Sequence, residues 1–454
     1  MVRSALRRGL PAVVAAVAVV LSVGAAAPAA QARPASLPST TRFYTPPPPP
    51  AAISQIADLA RSGHGRDALL LTRMVTTPQA VWFTGGTPAQ VRSKVRQTVT
   101  AAARQNSVPV LVAYNIPFRD CVQYAAGGAR NTAEYLAWID AFAAGIGGRR
   151  AVVLLEPDSL GIIPFHTDLW GEQEWCRPTD AAGNPPPGAS SAEHFAALTG
   201  AVDRLTRQPH VSLYLDGTHS DWLGVDESAY RLVKAGVQRT QGFFLNSENF
   251  QPTEHERKYG TWISQCVAFA NNPDDGGWRL GRYDRCGSQY SPADHTDFST
   301  WVLTDKWYAE NLGRAVPTTR FVIDTSRNGN GPNMMGEYAG APYHQPPAVV
   351  DALAEGNWCN PPGRGLGLRP TANTGVPLLD AYLWVKPPGT SDGTCDIAGG
   401  ARAWDFSRYN PWRVTPEQQR RFDPLWGVVD PPFGQWFGVS ALEVARRADP
   451  PLTH

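Results

Sequence analysis

The stretch AVVLLEPDSLG, residues 151–161, decides the fold class. Its first part, Ala151–Leu155, is entirely apolar, so a strand built from it would be buried on both faces, as strands of covered parallel sheets are. Glu156 and Asp158 follow at once, which places polar groups directly after the strand. Six further short apolar runs are also followed by Gly, Pro or polar residues: Ala68–Leu71, Val108–Tyr114, Val211–Leu215, Gly242–Leu245, Arg320–Ile323 and Ala381–Val385.

Helix-like segments separate these runs, for example Thr132–Gly145 and Ala192–Arg207, and would supply crossovers between parallel strands. Seven strand–helix units without a G-x-G-x-x-G fingerprint or a Walker loop favour a closed barrel over an open doubly wound sheet. We therefore predict an α/β fold, a seven-stranded parallel β/α barrel. Because the chain is longer than a plain barrel, large insertions are expected at about residues 165–189, 253–299 and 401–433.

The N-terminal residues predict export. Three arginines precede an apolar run from Pro11 to about Gly24, and the small residues before position 33 resemble a signal-peptidase site. The alternative, a membrane anchor, fits less well because the apolar run is short and no basic stop signal follows it. Residues 1–32 are thus expected to be a signal peptide cleaved near Ala32, with no membrane association afterwards. A Pro-rich segment, residues 33–50, would lead into a single domain over residues 51–454.

The charge balance excludes some partners. The chain has 41 Lys+Arg and 40 Asp+Glu, a formal charge of +1. Removing residues 1–32 takes away three arginines and no acid, which leaves 38 bases, 40 acids and a charge of −2. Nothing in that balance favours nucleic acid or a membrane surface as a partner.

Six cysteines predict disulfides. An even number in an exported chain indicates three bridges, although six cysteines allow about 15 connectivities. No C-x-x-C motif and no Cys/His spacing typical of zinc occurs, so no metal is expected. The residues are Cys121, Cys176, Cys266, Cys286, Cys359 and Cys395.

Polar side chains cluster after six of the seven runs. They are Asn115, Arg119 and Asp120; Glu156 and Asp158; Asp216 and His219; Asn246 and Glu248; Asp324 and Arg327; and Lys386 and Asp392. A single carboxylate there is as often a loop cap as a functional group, but the carboxyl ends of barrel strands form one face, where active sites lie. No Cys/His nucleophile pair is evident. The remaining chemistry is acid/base work by carboxylates, without a cofactor, in a cleft lined by aromatic residues, which suits sugar polymers.

Several longer motifs then become specific. They are YNIPFRDC (114–121), LLEPDSLG (154–161), YLDGTHSDWLG (214–224), FVIDTSRNGNGP (321–332), RPTANTG (369–375) and LWVKPPGTSDG (383–393). Together, over about residues 82–392, the chain resembles glycoside hydrolase family six, the cellobiohydrolases and endoglucanases that act on β-1,4-glucan. The resemblance implies a distorted, incompletely closed seven-stranded barrel with long, disulfide-stapled loops over its carboxyl face. No separate carbohydrate-binding module is expected.

The resemblance assigns three catalytic carboxylates. Asp158 matches the general acid, which needs a raised pKa to stay protonated near neutral pH. Asp120 matches the neighbour that raises this pKa, and Asp392 matches the residue proposed as the base of an inverting mechanism.

The resemblance also assigns substrate contacts. The bland alternative for any one of the 15 tryptophans is core packing. Residues that match sugar-stacking or hydroxyl-binding groups are Trp82, Tyr114, Asp216, His219, Trp222, Asn246, Arg327, Trp358 and Lys386.

Two departures from the family pattern stand out. The family often has Glu two residues before the proposed base, where this chain has Thr390. Val225 occupies a place where fungal exo-acting members carry Trp, so a far product-side stacking platform is absent or comes from elsewhere.

The resemblance further implies two disulfides, Cys121 with Cys176 and Cys359 with Cys395. Cys266 with Cys286 would be an added bridge within the expected insertion. Because long, stapled loops are typical of exo-acting members, we predict a secreted, monomeric cellobiohydrolase that binds β-1,4-glucan chains and cello-oligosaccharides. The alternatives are an endoglucanase with the same chemistry and a non-catalytic glucan-binding protein.

Overall fold

The computed structural model describes residues 36–121, 125–347, 350, 358–395, 422, 423 and 425–453. These belong to one compact unit, Arg33–His454. The predicted signal peptide, residues 1–32, lies outside the described residues. Among the helices that the structure describes, none is both long and apolar enough to cross a membrane.

Helices and strands alternate along most of the described chain. The order is α1 (Pro50–Arg61), α2 (Gly65–Val75), β1 (Val81–Phe83), α3 (Pro88–Arg104), β2 (Val110–Ala113), α4 (Thr132–Ile146), β3 (Ala151–Leu155), α5 (Ser191–Leu205), β4 (Val211–Asp216), α6 (Val225–Ala235), β5 (Gly242–Leu245), α7 (Thr253–Ala270), α8 (Val302–Asn311), β6 (Arg320–Asp324), β7 (Leu379–Leu383), β8 (Phe422–Asp423), β9 (Val428–Val429) and α9 (Gly438–Arg446).

Strands β1 to β7 form one parallel sheet in sequence order. The sheet curls, so that the two outer strands approach each other: the N–H of Ala80, before β1, donates to the carbonyl of Trp384, after β7, at 2.9 Å. The indole N–H of Trp82 donates to the carbonyl of Val385 at 2.8 Å. The predicted distorted seven-stranded barrel is confirmed, and the two strands β8 and β9 pair separately and antiparallel.

The first predicted strand is wrong. Ala68–Leu71 lies in helix α2, where Leu70, Leu71, Met74 and Val75 are buried at helical spacing. A short apolar run does not distinguish a buried strand from a buried helix, and the spacing becomes helical only when the next turn is included. The first strand is instead β1, three residues long and centred on Trp82. The other six predicted strands are confirmed to within a few residues.

The strands are buried on both sides, as their composition predicts. One set of alternate residues, including Val112, Leu154 and Tyr214, packs inside the curled sheet. The other set, including Val153 and Phe243, packs against the surrounding helices. Side chains of a strand alternate between faces, so a continuous apolar run fills both layers.

Local signals position the helices. Thr87 and Gln90 form a reciprocal capping box at the start of α3, with Pro88 in its first turn. Asn131 and Ser190 cap α4 and α5 without the reciprocal bond, each accepting a backbone N–H three residues on.

The insertions are confirmed in part. Residues 165–189 contain no helix or strand. Residues 253–299 do not form one insertion, because the first 18 of them are helix α7, which packs against the sheet through buried residues such as Trp262 and Ile263. Most of residues 401–433 lies outside the described residues. The Pro-rich segment is not loose where it is described: Phe43 and Tyr44 are buried and the Tyr44 N–H donates to the Val108 carbonyl at 3.0 Å.

Three disulfides are present, and all join cysteines in sequential pairs. They are Cys121–Cys176, Cys266–Cys286 and Cys359–Cys395. The pairing that the family resemblance implied is thus confirmed, as is the added bridge, which joins α7 to the segment that follows it.

Candidate active site

Buried carboxylates tie the strand ends together. Glu156, after β3, accepts the N–H groups of Asn115 and Ile116, after β2, at 2.8 and 2.9 Å. Asp324, which ends β6, accepts the N–H of Lys386, after β7, at 3.0 Å. Through these bonds, carboxylate side chains connect neighbouring strands beyond the ends of the sheet. They fix the positions of the polar residues that follow the strands.

The backbone turns sharply where it leaves the strands. The φ angles of Asp120, Asp158 and Glu248 are +57°, +63° and +59°, in the left-handed region. Such angles cost a non-glycine residue on the order of 1–3 kcal/mol and cluster at functional sites. Three carboxylates that follow different strands thus share an uncommon conformation.

A cavity of about 500 Å³ opens at this end of the sheet. All three predicted catalytic carboxylates, Asp120, Asp158 and Asp392, line it. The other predicted site residues in its wall are Tyr114, His219, Trp222 and Trp358. Residues that sequence reasoning did not assign to the site also line it, among them Trp175, Glu248, Phe250 and Phe433.

Asp158 is surrounded by other acids. Burial raises its pKa well above the usual value, and the nearby charges of Asp216, Glu248 and Asp120 raise it further, while Lys386 acts in the opposite direction. A carboxyl group in such surroundings keeps its proton near neutral pH.

Asp120 is itself perturbed. Burial raises its pKa to about 7, although the N–H of Ala125 donates to its carboxylate at 2.7 Å. The charge of Glu248 acts in the same direction as burial. Near neutral pH the carboxyl group of Asp120 therefore changes its charge next to Asp158.

Asp392 has opposite surroundings. Arg327 donates to both of its oxygens at 2.9 and 2.7 Å, and the ammonium of Lys386 lies 2.8 Å away. The Asn360 N–H donates to it at 2.9 Å. Burial alone would raise the pKa of Asp392, but the two cations outweigh burial and lower it to about 2. Asp392 is therefore ionised at neutral pH.

The sequence placed Glu248 among the polar residues after the strands but gave it no catalytic or binding role. Its carboxylate accepts a hydrogen bond from Lys386, and its backbone carbonyl accepts one from Arg327. The ammonium of Lys386 thus lies between Glu248 and Asp392. Thr390 occupies the position where the family often has Glu, so no carboxylate is present there. A carboxylate does contact Lys386, but it belongs to Glu248, in the loop after β5.

Aromatic rings surround Tyr114. Trp82 packs edge-on against it at 5.4 Å between ring centroids, and the Arg119 guanidinium lies 4.6 Å from its ring centre. Phe433 lies 6.3 Å from both Tyr114 and Trp82. Tyr114, 1% exposed, and Phe433 line the cavity, whereas Trp82, predicted to stack on a sugar ring, is not among the lining residues.

Gly161 makes room for Trp222. A Cβ atom at Gly161 would lie 2.4 Å from the Trp222 ring, so any other residue would displace this ring. His219 lies 5.6 Å from Trp222, and burial lowers the pKa of His219 to about 4, which leaves it neutral. The motif that carries Asp158 thus also seats a tryptophan of the cavity wall.

Two disulfides border the cavity. Asp120 directly precedes Cys121, and Trp175 directly precedes the cysteine to which Cys121 is bonded. Trp358 stands in the same relation to Cys359. Each bridge therefore anchors the backbone next to a residue of the cavity wall.

Four other residues predicted to contact the substrate do not line the cavity. Asp216 is 2% exposed and accepts N–H groups from Leu160 and Thr218, and burial raises its pKa to about 6. Asn246 is fully buried and bonds the backbone of Gln251 and Asp324. The structure thus brings neither side chain to the cavity surface. Arg327 and Lys386 act on the site through Asp392.

The unassigned wall residues had weak signals. Trp175 and Phe433 lie in expected insertions, where spacing along the sequence predicts no position. Glu248 had a stronger signal because it follows strand β5 by three residues. Within the described part of the chain, no group of three or more His, Cys, Asp or Glu residues is arranged to hold a metal ion.

An acid that keeps its proton, a carboxylate that stays ionised and aromatic walls at the carboxyl end of a parallel barrel define the site of a glycoside hydrolase. The sequence agrees at the level of the family. Residues 38–448 match the model of the glycosyl hydrolases family 6, and the chain belongs to this family.

Relatives within the family are endo- and exo-acting. Endoglucanase 1 of Streptomyces halstedii is 31% identical over 388 residues, which cover 85% of this chain and 91% of that protein. The 1,4-beta-D-glucan cellobiohydrolase of Podospora anserina is 26% identical over 382 residues, 81% of this chain and 62% of that protein. A solved structure of the Mycobacterium tuberculosis endoglucanase Cel6, in complex with methyl-cellobiosyl-4-deoxy-4-thio-β-D-cellobioside, has a TM-score of 0.56 and 30% identity, and the match covers 90% of this chain and 97% of that one.

Proposed function

We propose that this chain hydrolyses β-1,4-glucan with inversion, with Asp158 as the general acid and Asp392 as the base. The observation that carries this proposal is the opposite electrostatics of two carboxyl groups in one cavity. The charged neighbours of Asp158 are mostly acids, whereas those of Asp392 are the cations Arg327 and Lys386. Pairs of titratable groups whose surroundings push their pKa values apart are typical acid/base pairs.

The proposed reaction uses the protonated form of Asp158 and the ionised form of Asp392. Asp158 gives its proton to the glycosidic oxygen as the bond to the sugar breaks. Asp392, ionised and fixed by Arg327 and Lys386, accepts a proton from the attacking water. A carboxylate with a pKa of about 2 is a weak base. The proton therefore moves as positive charge develops on the sugar ring and makes the water more acidic.

Asp120 and the aromatic wall have supporting roles in this proposal. The charge of Asp120 raises the pKa of the acid. Trp222 and Trp358 offer faces on which pyranose rings stack, and Tyr114 crowds the ring that is cleaved. We further propose, from the N-terminal sequence alone, that the chain is exported and cleaved near Ala32, and we propose that it is a monomer.

The test is product analysis on a panel of glucans. Purified protein is incubated with cellotetraose, amorphous cellulose, xyloglucan and mixed-linkage glucan, and the products are separated by chromatography. We expect hydrolysis of β-1,4 bonds, with the α-anomer as the first product in proton NMR spectra of cellotetraose reactions. A β-anomer, or hydrolysis confined to another glucan, would contradict the proposal.

The mode of attack separates two candidates. Exo action is the prediction from long, stapled loops. Endo action is the second candidate, and the observation that favours it is that the bacterial relatives named endoglucanases are 30–31% identical, against 26% for the Podospora anserina cellobiohydrolase. Exo action predicts a small loss of carboxymethylcellulose viscosity per reducing end formed. A steep fall in viscosity with few new ends would instead establish endo action.

Glu248→Gln tests the electrostatics of the acid. The general acid must be protonated, so activity is lost as pH rises through its pKa. The charge of Glu248 raises the pKa of Asp158 and offsets Lys386, which lowers it. Removing that charge should therefore move the alkaline limb of the kcat profile on cellotetraose to lower pH.

Asp221→Asn is the matched control for Glu248→Gln. Asp221 also lines the cavity, but its side chain is 48% exposed and is bonded to His295, so solvent screens its charge. Its replacement should leave the limb in place. An unchanged limb in Glu248→Gln, or a shift to higher pH, would refute the assigned role of Glu248.

A further inference from the structure

A second, larger hollow lies next to the catalytic cavity, and we propose that it is an additional binding groove for β-1,4-glucan. Its volume is about 1210 Å³. One wall comes from the loop of residues 165–189, and the other comes from the start of α6 and the segment after α7. This proposal rests on the proposed glucanase function and extends it to a longer stretch of substrate.

Four aromatic side chains that line the groove are exposed to solvent. Trp170, Trp175 and Trp278 are 61%, 50% and 53% exposed, and Tyr290 is 44% exposed. All four line this one groove. Tryptophan is mostly buried in folded chains, so several exposed rings in one hollow indicate a surface that binds something. Flat aromatic faces suit the apolar faces of pyranose rings.

The groove and the catalytic cavity share part of their walls. Trp175 and Trp222 line both hollows. A glucan chain that passes over Trp222 can therefore continue into the groove without leaving the protein surface. The groove has more than twice the volume of the cavity, so it would serve long chains more than short oligosaccharides.

The charges of the groove exclude a polyanion as its ligand. Three arginines and six acids line the groove, and each arginine is paired with one or more of these acids. Arg282 and Asp284 are bonded at 2.8 Å, and Arg231 bonds both Glu174 and Glu227. Cations neutralised in this way offer little to a polyanion, whereas their edges remain suited to hydrogen bonds with hydroxyl groups.

The groove is also preformed. Its two loops are held by the disulfides Cys121–Cys176 and Cys266–Cys286. Arg231 of α6, 1% exposed, ties the first of these loops to α6 through the carboxylate of Glu174, and it also donates to the carbonyl of Leu160 at 2.8 Å. A surface held in place before binding loses little entropy when the ligand arrives.

The test compares long and short substrates in the double variant Trp170→Ala, Trp278→Ala. Binding to soluble hydroxyethylcellulose is measured by affinity electrophoresis, and kcat/KM is measured on amorphous cellulose and cellotetraose. We expect the Kd for the polymer to rise roughly tenfold, which is the effect of losing two stacking contacts. The loss of kcat/KM on the polymer should clearly exceed that on cellotetraose.

Controls distinguish this proposal from others. Leu69→Ala removes a 45% exposed apolar side chain of α2, outside the groove, and should bind and hydrolyse the polymer like the parent protein. Trp278 packs on Phe269, so Trp170→Ala alone replaces the double variant if thermal unfolding shows that the double variant does not fold. Polymer binding equal to that of the parent protein would overturn the proposal.

Other outcomes have separate meanings. Self-association of the parent protein in sedimentation experiments, abolished in a variant whose polymer binding is unchanged, would assign the groove to a second copy of the chain and overturn the proposal. If the parent protein cleaves neither substrate, the proposed function fails. The proposal of a glucan-binding groove is then decided by polymer binding in affinity electrophoresis alone, because that measurement needs no turnover.

Discussion

Asp158→Asn is expected to lower kcat on cellotetraose by at least about 100-fold, the usual contribution of a general acid. An amide has no proton of suitable acidity to give to the leaving oxygen. Binding of cellotetraose, measured by calorimetry, should remain, because the aromatic wall of the cavity is unchanged. The protein would then behave as the non-catalytic glucan binder that the sequence left as an alternative.

A second substrate makes this prediction specific. Dinitrophenyl β-cellobioside has a leaving group that needs no protonation, so Asp158→Asn should lose far less activity on it than on cellotetraose. Asp203→Asn, a substitution at a half-exposed carboxylate outside the cavity, should leave both activities unchanged. Equal losses on the two substrates in Asp158→Asn would remove Asp158 from the role of acid.

Asp392→Asn is expected to have a similarly large effect, a loss of at least about 100-fold, but on both substrates. The attacking water needs a base whichever group departs. The variant also removes the anion that Arg327 and Lys386 share, which should lower the free energy of unfolding by roughly 3 kcal/mol. Turnover is therefore measured well below the midpoint of thermal unfolding.

Azide separates catalysis from stability in this variant. Azide is a small anion that attacks without a base, so it should restore turnover in Asp392→Asn and yield a glycosyl azide of inverted configuration. Unfolded protein would not respond. Activity within about tenfold of the parent protein, or no response to azide in a folded sample, would contradict the role of Asp392 as base.

The sheet shows how far sequence reasoning reached. A run such as Ala151–Leu155 is long enough, and apolar enough, to predict a buried strand, and it is one. Ala68–Leu71 has the same composition but forms part of a helix, because its next turn adds Met74 and Val75 at helical spacing. The strand β1 escaped notice since only three residues form it. Its position depends on pairing with β2, a contact between distant parts of the chain.

The site shows a similar division. Motifs located Asp120, Asp158 and Asp392, and all three line one cavity. They did not indicate that Asp216 and Asn246 turn inward to bond the backbone. Whether a polar residue at a strand end caps a loop or faces a cavity depends on which N–H groups the neighbouring strand leaves unpaired, and local sequence does not encode that.

The sequence by itself determined six of the seven barrel strands, two of the crossover helices, the cysteines available for bridging and the family. Only the tertiary structure decided the charge states. Asp158 and Asp392 are the same residue type, yet Asp158 meets Asp216 and Glu248 while Asp392 meets Arg327 and Lys386. The pKa of a buried carboxyl group depends on desolvation and on charges a few ångströms away. Segments distant in the sequence supply those charges, so the motifs assigned the acid and the base only by resemblance, whereas the folded chain provides the physical cause.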